Sequence, residues 1–252
     1  MEEFRAVLVT DAEKFSAHRD VELAEVHMEI RRVLAEAFDR SGLGEAWEEA
    51  RFKQSTGDGI LAALPVEAGR ALIDPFPRLL QEVLAEAAPG LRARGLHLRL
   101  RMALHMGFVD DAHPQAPGLS TAVVDVCRLV DSEPLRGALK RSDPEVTFAA
   151  FLVSSEMFAT HVAGGRTRLR ESQFTRVRVT VKQFDRDAYL YIPVPSQSPN
   201  PQERARDGED GRPSRSRPAA AGTSIGDVSA TGHGNQNAIG NTVGGDLNMD
   251  RS

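Results

Sequence analysis

Cysteine occurs once in the 252 residues, as Cys127. That excludes an internal disulfide framework and any multi-cysteine zinc site, and it suits a reducing cytosol. No apolar run approaches the length a bilayer requires, and the opening MEEFRAVLVT carries no signal-peptide pattern, so a cytoplasmic protein with no membrane partner is expected. An excess of positive charge is also missing. The formal net charge is -5, and the arginines of RLRMALH alternate with apolar residues as on an exposed strand face, which argues against a nucleic-acid partner. Apolar residues almost vanish between Pro193 and Ile225, too few to offset the entropy of ordering. The chain therefore divides into a folded domain over 1–194, a disordered linker over 195–221 rich in Pro, Ser, Arg and Gly, and a Gly/Asn-rich tail over 222–252.

What is present reads as strands alternating with helices and hairpins. The β-branched run FRAVLVT predicts a buried first strand that stops at Asp11, and apolar residues at helical spacing over 21–38 predict an amphipathic helix. WEEARFKQ and ILAAL predict two strands joined by a tight turn at Ser-Thr-Gly-Asp-Gly, with Trp47 and Phe52 in the core. A second helix over 67–88 is expected to restart at Pro75 and Pro77 and to end at Pro89 and Gly90. LHLRLRMALHMG alternates strictly, as a half-buried strand does, with His97 and His105 on its polar, solvated face and no metal assigned to them. Beyond a Pro- and His-rich loop come a helix over 121–130, the strand FAAFLVS, a helix over 155–162 and the closing strands FTRVRVTVK and AYLYIP. The fold class is α+β, with helices covering a mixed sheet.

Residue type alone assigns ordinary roles: Asp11 a polar strand end or helix cap, Asp58 a turn residue between glycines, Arg128 a surface helix charge. Their order suggests more. VTDAEKFS places Asp11 at the end of the first strand with Phe15 four residues on, STGDGI places Asp58 at a hairpin tip, and AVVDVCRL places Arg128 on a helix after the alternating strand. Together with RMALHMGFV and VTVKQFDRDAYLYIP these stretches resemble the class III nucleotidyl cyclases over nearly all of residues 4–193. They also look like an actinobacterial cyclase-like group found beside regulatory or defence modules.

That resemblance implies a ferredoxin-like catalytic domain with a mainly antiparallel sheet. It also implies conversion of a nucleoside triphosphate to a 3',5'-cyclic nucleotide and pyrophosphate, in signalling or phage defence, by two Mg²⁺ or Mn²⁺ ions. Asp11, Asp58 and the carbonyl of Ala12 would hold the metals, oxygen donors being what these ions prefer. Arg128, permanently charged and forked, would be catalytic, stabilising charge on the α-phosphate. Phe15, Gly57, Gln54, Lys53 and Lys182 would line the nucleotide. Because the family divides these parts between two chains arranged head to tail, a homodimer is implied. The sequence departs from the family pattern at two places: Val124 stands where an asparagine positions the ribose, and Pro117 stands at a base-reading position. Gln54, whose amide both donates and accepts, does not choose a base. The competing reading is a cyclase-like domain without turnover, serving as a nucleotide sensor or adaptor.

In the tail, Gly-Asp or Gly-Asn recurs beside apolar residues at Ile225 to Val228, Ile239 to Val243 and Gly245 to Leu247. The segment 222–250 is low in charge, free of Pro and rich in amides able to ladder, features of a stacked cross-β unit, although it holds more glycine than such units usually do. It resembles bacterial amyloid signalling motifs, which implies a protein partner carrying a like motif. A disordered Gly/Asn tail is the alternative.

Overall fold

The computed structural model describes residues 2–50, 52–110 and 113–198; the tail over 222–252 and the linker from 199 onward lie outside the described residues. Seven strands form one sheet in the order β2-β3-β1-β4-β5-β7-β6. They are β1 (Glu3–Ala12), β2 (Phe52–Ser55), β3 (Ile60–Pro65), β4 (Leu100–Val109), β5 (Ala149–Ser154), β6 (Thr175–Val181) and β7 (Phe184–Tyr191). Only β4 and β5 run parallel; every other neighbouring pair is antiparallel. The α+β class and the mixed, mainly antiparallel sheet expected from the sequence are what the chain forms.

Both faces of the sheet are covered, and the two-residue period of the strands divides the side chains between two cores. Leu8 of β1 and Leu100, Met102 and Leu104 of β4 pack against α1 (Asp20–Arg40) and α4 (Phe76–Ala93). Val7, Val9 and Ala103 face α5 (Thr121–Val130) and α6 (Glu133–Arg141). This second layer corrects the expectation of an exposed polar face on LHLRLRMALHMG. The strand starts at Leu100, and His105 is buried at 7% exposure instead of solvated.

Three further boundaries differ from the sequence reading for identifiable reasons. Trp47 lies in the short helix α2 (Gly44–Glu48), not on a strand, because that turn lays its indole flat on Phe38 of α1 at 4.3 Å between ring centroids. Pro89 does not end α4. It sits on the solvent side, where the carbonyl four residues earlier can be hydrated, while Leu91 is held in the core. The helix α6 is additional to the expected elements; Pro134 in its first turn and Leu135, Ala138 and Leu139 on one face give it an ordinary helical pattern. The break between α3 (Gly69–Ile73) and α4 falls at the cis Asp74–Pro75 bond, where a restart was expected.

The chain past β7 stays on the domain for a few residues: Asp143 N–H donates to Ser196 Oγ at 2.9 Å and Ser198 N–H to the Arg141 carbonyl at 2.8 Å. Among the described residues no helix is long and apolar enough to cross a membrane.

After α7 (Ser155–Phe158) the chain widens into a π turn, Ala159–Ala163, which buries His161 against Gly69 with neither ring nitrogen partnered. Burial lowers the affinity of His161 for a proton and does the same to His105. An unfolded chain protonates histidine near pH ~6.5, whereas these two resist until lower pH. In that interval the unfolded chain binds more protons, so stability present above pH ~6.5 drains away as pH falls. Lowering the pH from 7 to 5 is expected to change the thermal midpoint less favourably in the wild type than in His161→Gln, which removes the histidine's contribution and leaves that of every other group; identical changes in the two proteins would refute the assignment.

Candidate active site

Asp11 and Asp58 meet at the end of β1 because the hairpin between β2 and β3 is pressed onto that strand. The two glycines flanking Asp58 serve different needs. Gly57 has φ +94°, a backbone state an L side chain rarely adopts. Gly59 is pinned by contact: a Cβ there would lie 1.9 Å from the Thr10 carbonyl oxygen. Hydrogen bonds hold the approach. Ala12 N–H donates to the Asp58 carbonyl at 2.9 Å, and Ile60 N–H donates to the fully buried Thr10 hydroxyl at 2.9 Å.

From the other side His27 of α1 braces the tip. In its Nδ1–H tautomer the ring donates to the Gly57 carbonyl at 3.0 Å and accepts from Ser55 Oγ at 3.3 Å. Nothing in the sequence pattern singles out His27, since its partner lies thirty residues away.

The register that pairs Asp11 with Arg101 across β1 and β4 sets the electrostatics. The Arg101 guanidinium touches Asp11 Oδ2, with side-chain exposures of 13% and 14%, so this arginine is not on the solvated face expected for RLRMALH. The contact lies off the hydrogen-bonding direction: Asp11 Oδ2 and Arg101 Nε are both buried without a hydrogen-bond partner. Burial pushes the Asp11 carboxyl up to about 7; Arg101 opposes the rise, the hydrogen bond and like charge of Asp58 add to it, and Arg136 of α6 opposes it more weakly. One guanidinium therefore does not balance two carboxylates held together. Beyond Asp11, Glu13 pairs with Arg99 at 2.7 Å, and Arg99 also donates to the carbonyls of Thr147 and Leu139, tying the strand end to the segment before β5 and to α6.

The other residues singled out by the sequence are scattered. Gln54 pairs with Leu61 on the face that carries Val9 and Asp11, and it is exposed. Lys53 faces the opposite way, its ammonium 2.9 Å from the Trp47 carbonyl and 4.6 Å from the centre of that indole. Phe15 begins a 3-10 turn (Phe15–Ala17) and is partly buried against the first core. Arg128 and Lys182 are not brought to the carboxylates within the chain. Arg128 contacts Asp125 at 3.5 Å and lies 5.9 Å from the Phe184 ring; Lys182, with φ +55°, occupies the two-residue turn between β6 and β7. The Asp125 and Phe184 that Arg128 contacts line a small pocket with His105, four residues or roughly 13 Å along β4 from Arg101.

The donor set suits a hard divalent cation. Asp11 and Asp58 are carboxylates within hydrogen-bonding reach of each other, the one cation in contact with them among the described residues is Arg101 at Asp11 Oδ2, and their repulsion would be relieved by a doubly charged ion. Among the described residues no cluster of three or more His, Cys, Asp or Glu side chains occurs, so further ligands would be backbone carbonyls such as that of Ala12, water and substrate oxygens.

A proton held by Asp11 up to about 7 has a stability consequence. An unfolded aspartate loses its proton near pH ~4, so between those values the folded chain binds more protons and stability declines as pH rises. Without metal, Asp11→Asn is expected to melt above the wild type at pH 8, the difference shrinking towards pH 5. A variant that melts below the wild type at pH 8 would contradict this account.

No family model and no curated protein matches the sequence. Solved structures do resemble it. The adenylyl cyclase CyaB from P. aeruginosa superposes with a TM-score of 0.52 at 12% identity, covering 79% of this chain and 97% of that one. The guanylyl cyclase Cya2 gives 0.47 at 14% identity over 79% and 95% of the two chains. The catalytic core of a rhodopsin-guanylyl cyclase with converted specificity, solved with ATPalphaS, gives 0.49 at 13% over 78% and 97%. The comparison with CyaB bears on architecture alone: the described part of the chain has the fold of a cyclase catalytic domain.

Proposed function

We propose that the chain is a nucleotidyl cyclase that converts a nucleoside triphosphate to a 3',5'-cyclic nucleotide and pyrophosphate. The observation that carries this reading is the carboxylate pair Asp11–Asp58, forced together at a strand end and left short of positive charge. In the reaction the ribose 3'-oxygen bonds to the α-phosphorus, the bond from that phosphorus to the bridging oxygen breaks, and the 3'-hydroxyl proton leaves to solvent. Two divalent ions, when bound, would acidify the 3'-hydroxyl and offset the triphosphate charge. Asp11, Asp58 and the Ala12 carbonyl would hold them. His27 and Thr10 keep the hairpin seated, and Gln54 stands on the same sheet face, placed to meet a base with either hydrogen-bonding polarity. Phe15 and Gly57 would border the triphosphate.

Within the chain Arg128 contacts Asp125 and lies near the Phe184 ring, not the carboxylates, so in this reading it acts on the site of a second copy, as a head-to-tail homodimer would allow. There its guanidinium would stabilise charge on the α-phosphate, and Lys182, on its exposed turn, would reach the outer phosphates. The setting is cytoplasmic, in signalling or phage defence. The tail over 222–250 would recruit a protein with a like motif.

A second reading has one observation in its favour. Val124, one turn before Arg128, presents an apolar, 39% exposed side chain where a ribose contact would be needed, as suits a nucleotide sensor or adaptor without turnover.

Purified protein with Mn²⁺ and each of ATP, GTP, CTP and UTP, read by mass spectrometry, is expected to yield one or more cyclic nucleotides, with activity falling at least about a hundredfold in Asp58→Ala. Nucleotide binding with no cyclic product would support the sensor and overturn the enzyme. Peptide 222–250 is expected to form thioflavin-positive fibrils; a peptide that stays monomeric at high concentration removes the tail's proposed role.

A further inference from the structure

A cavity of about 500 Å³ opens at the end of the sheet, between the segment that follows β1, the loop joining α4 to β4, and the α6–β5 junction. Its lining includes neither Asp11 nor Asp58. The floor is apolar and buried, made by Leu91, Leu96, Leu98 and Phe148. Of its charged residues, every acid is already neutralised: Glu13 by Arg99, Glu22 by Arg19 and Glu145 by Arg92. Two lysines remain, Lys14 and Lys140, both exposed and in no ion pair among the described residues, so the wall carries a net charge of about +2. The His18 ring is already engaged, Nδ1 with the Phe15 carbonyl at 3.0 Å and Nε2 accepting from His97 N–H at 3.3 Å.

Lys14 adds an independent sign. Its backbone has φ +57° and ψ +30°, left-handed, where a glycine would sit without strain. Strain of this kind persists where the surroundings over-determine it, often at ligand clamps, and here the strained residue brings a free ammonium to the cavity wall.

We propose that this cavity is a second ligand site, separate from the carboxylate pair, for a small organic dianion: a phosphate monoester whose flat apolar body rests on Leu96, Leu98 and Phe148 while Lys14 and Lys140 take the phosphate. The apolar floor sets the class, because a bare inorganic anion would leave it uncovered. The charge count sets the valence. No step of cyclisation runs through the site, so it stands whether or not the chain turns over a nucleotide.

Phenyl phosphate is the probe, titrated into the full chain by calorimetry in EDTA so that no metal bridges it to Asp11 and Asp58. Saturable binding is expected, at least about tenfold tighter than inorganic phosphate, retained by Asp11→Asn, and weakened about tenfold by either Lys14→Gly or Lys140→Gln. Both lysines are exposed, and Lys14→Gly relieves the left-handed backbone, so circular dichroism of the two variants should match the wild type. Equal affinity for inorganic phosphate, indifference to both lysine substitutions, or loss of binding in Asp11→Asn would each overturn the proposal. Failure of the cyclase reading would appear differently, as absent turnover with phenyl phosphate binding intact.

Discussion

The site depends on one close approach. The hairpin backbone at Gly59 lies against the Thr10 carbonyl with no space for a Cβ, and this lets the Asp58 carbonyl accept from Ala12 and its carboxylate reach Asp11. Everything else at the strand end serves or answers that contact. Gly57 turns the tip, Thr10 satisfies the Ile60 amide that strand pairing would otherwise leave alone, and His27 clamps the tip from α1. A side chain at position 59 would push the hairpin away and separate the two carboxylates by at least the width of a methyl group.

The approach carries an electrostatic penalty that the apo fold offsets only in part. Two carboxylates share a partly desolvated strand end with Arg101 across the register and Arg136 farther off. Desolvation exceeds what these cations return, so Asp11 holds its proton into the neutral range. Stability sacrificed at a site is the usual mark of a group kept for something other than folding. A divalent cation answers the deficit directly, in place of part of what the Arg101 guanidinium now supplies at the buried Asp11 Oδ2.

Much of the architecture was legible because strand and helix periods are written locally. FRAVLVT, ILAAL and the helix over 121–130 form where their patterns say they should. The misreadings share a cause: they turn on what packs over an element, which a local pattern does not state. RLRMALH looks half-exposed until α5 and α6 cover its second face, and Trp47 looks like a strand residue until it stacks on Phe38. At the site, Asp11 and Asp58 stood out by position in a motif, whereas Arg101 and His27 act through strand register and a thirty-residue separation. The tight contact at Gly59 was hidden for the same reason, since glycine beside a turn residue reads as turn chemistry alone.

The central claim is that the hairpin contact creates a divalent-cation site out of Asp11 and Asp58. Mn²⁺ binding followed by electron paramagnetic resonance, on wild type and Gly59→Ala side by side with circular dichroism as a check on folding, tests it most directly. The account predicts a bound-ion signal in the wild type and its loss in a Gly59→Ala chain that remains folded. A folded Gly59→Ala protein that binds Mn²⁺ as tightly as the wild type would contradict it.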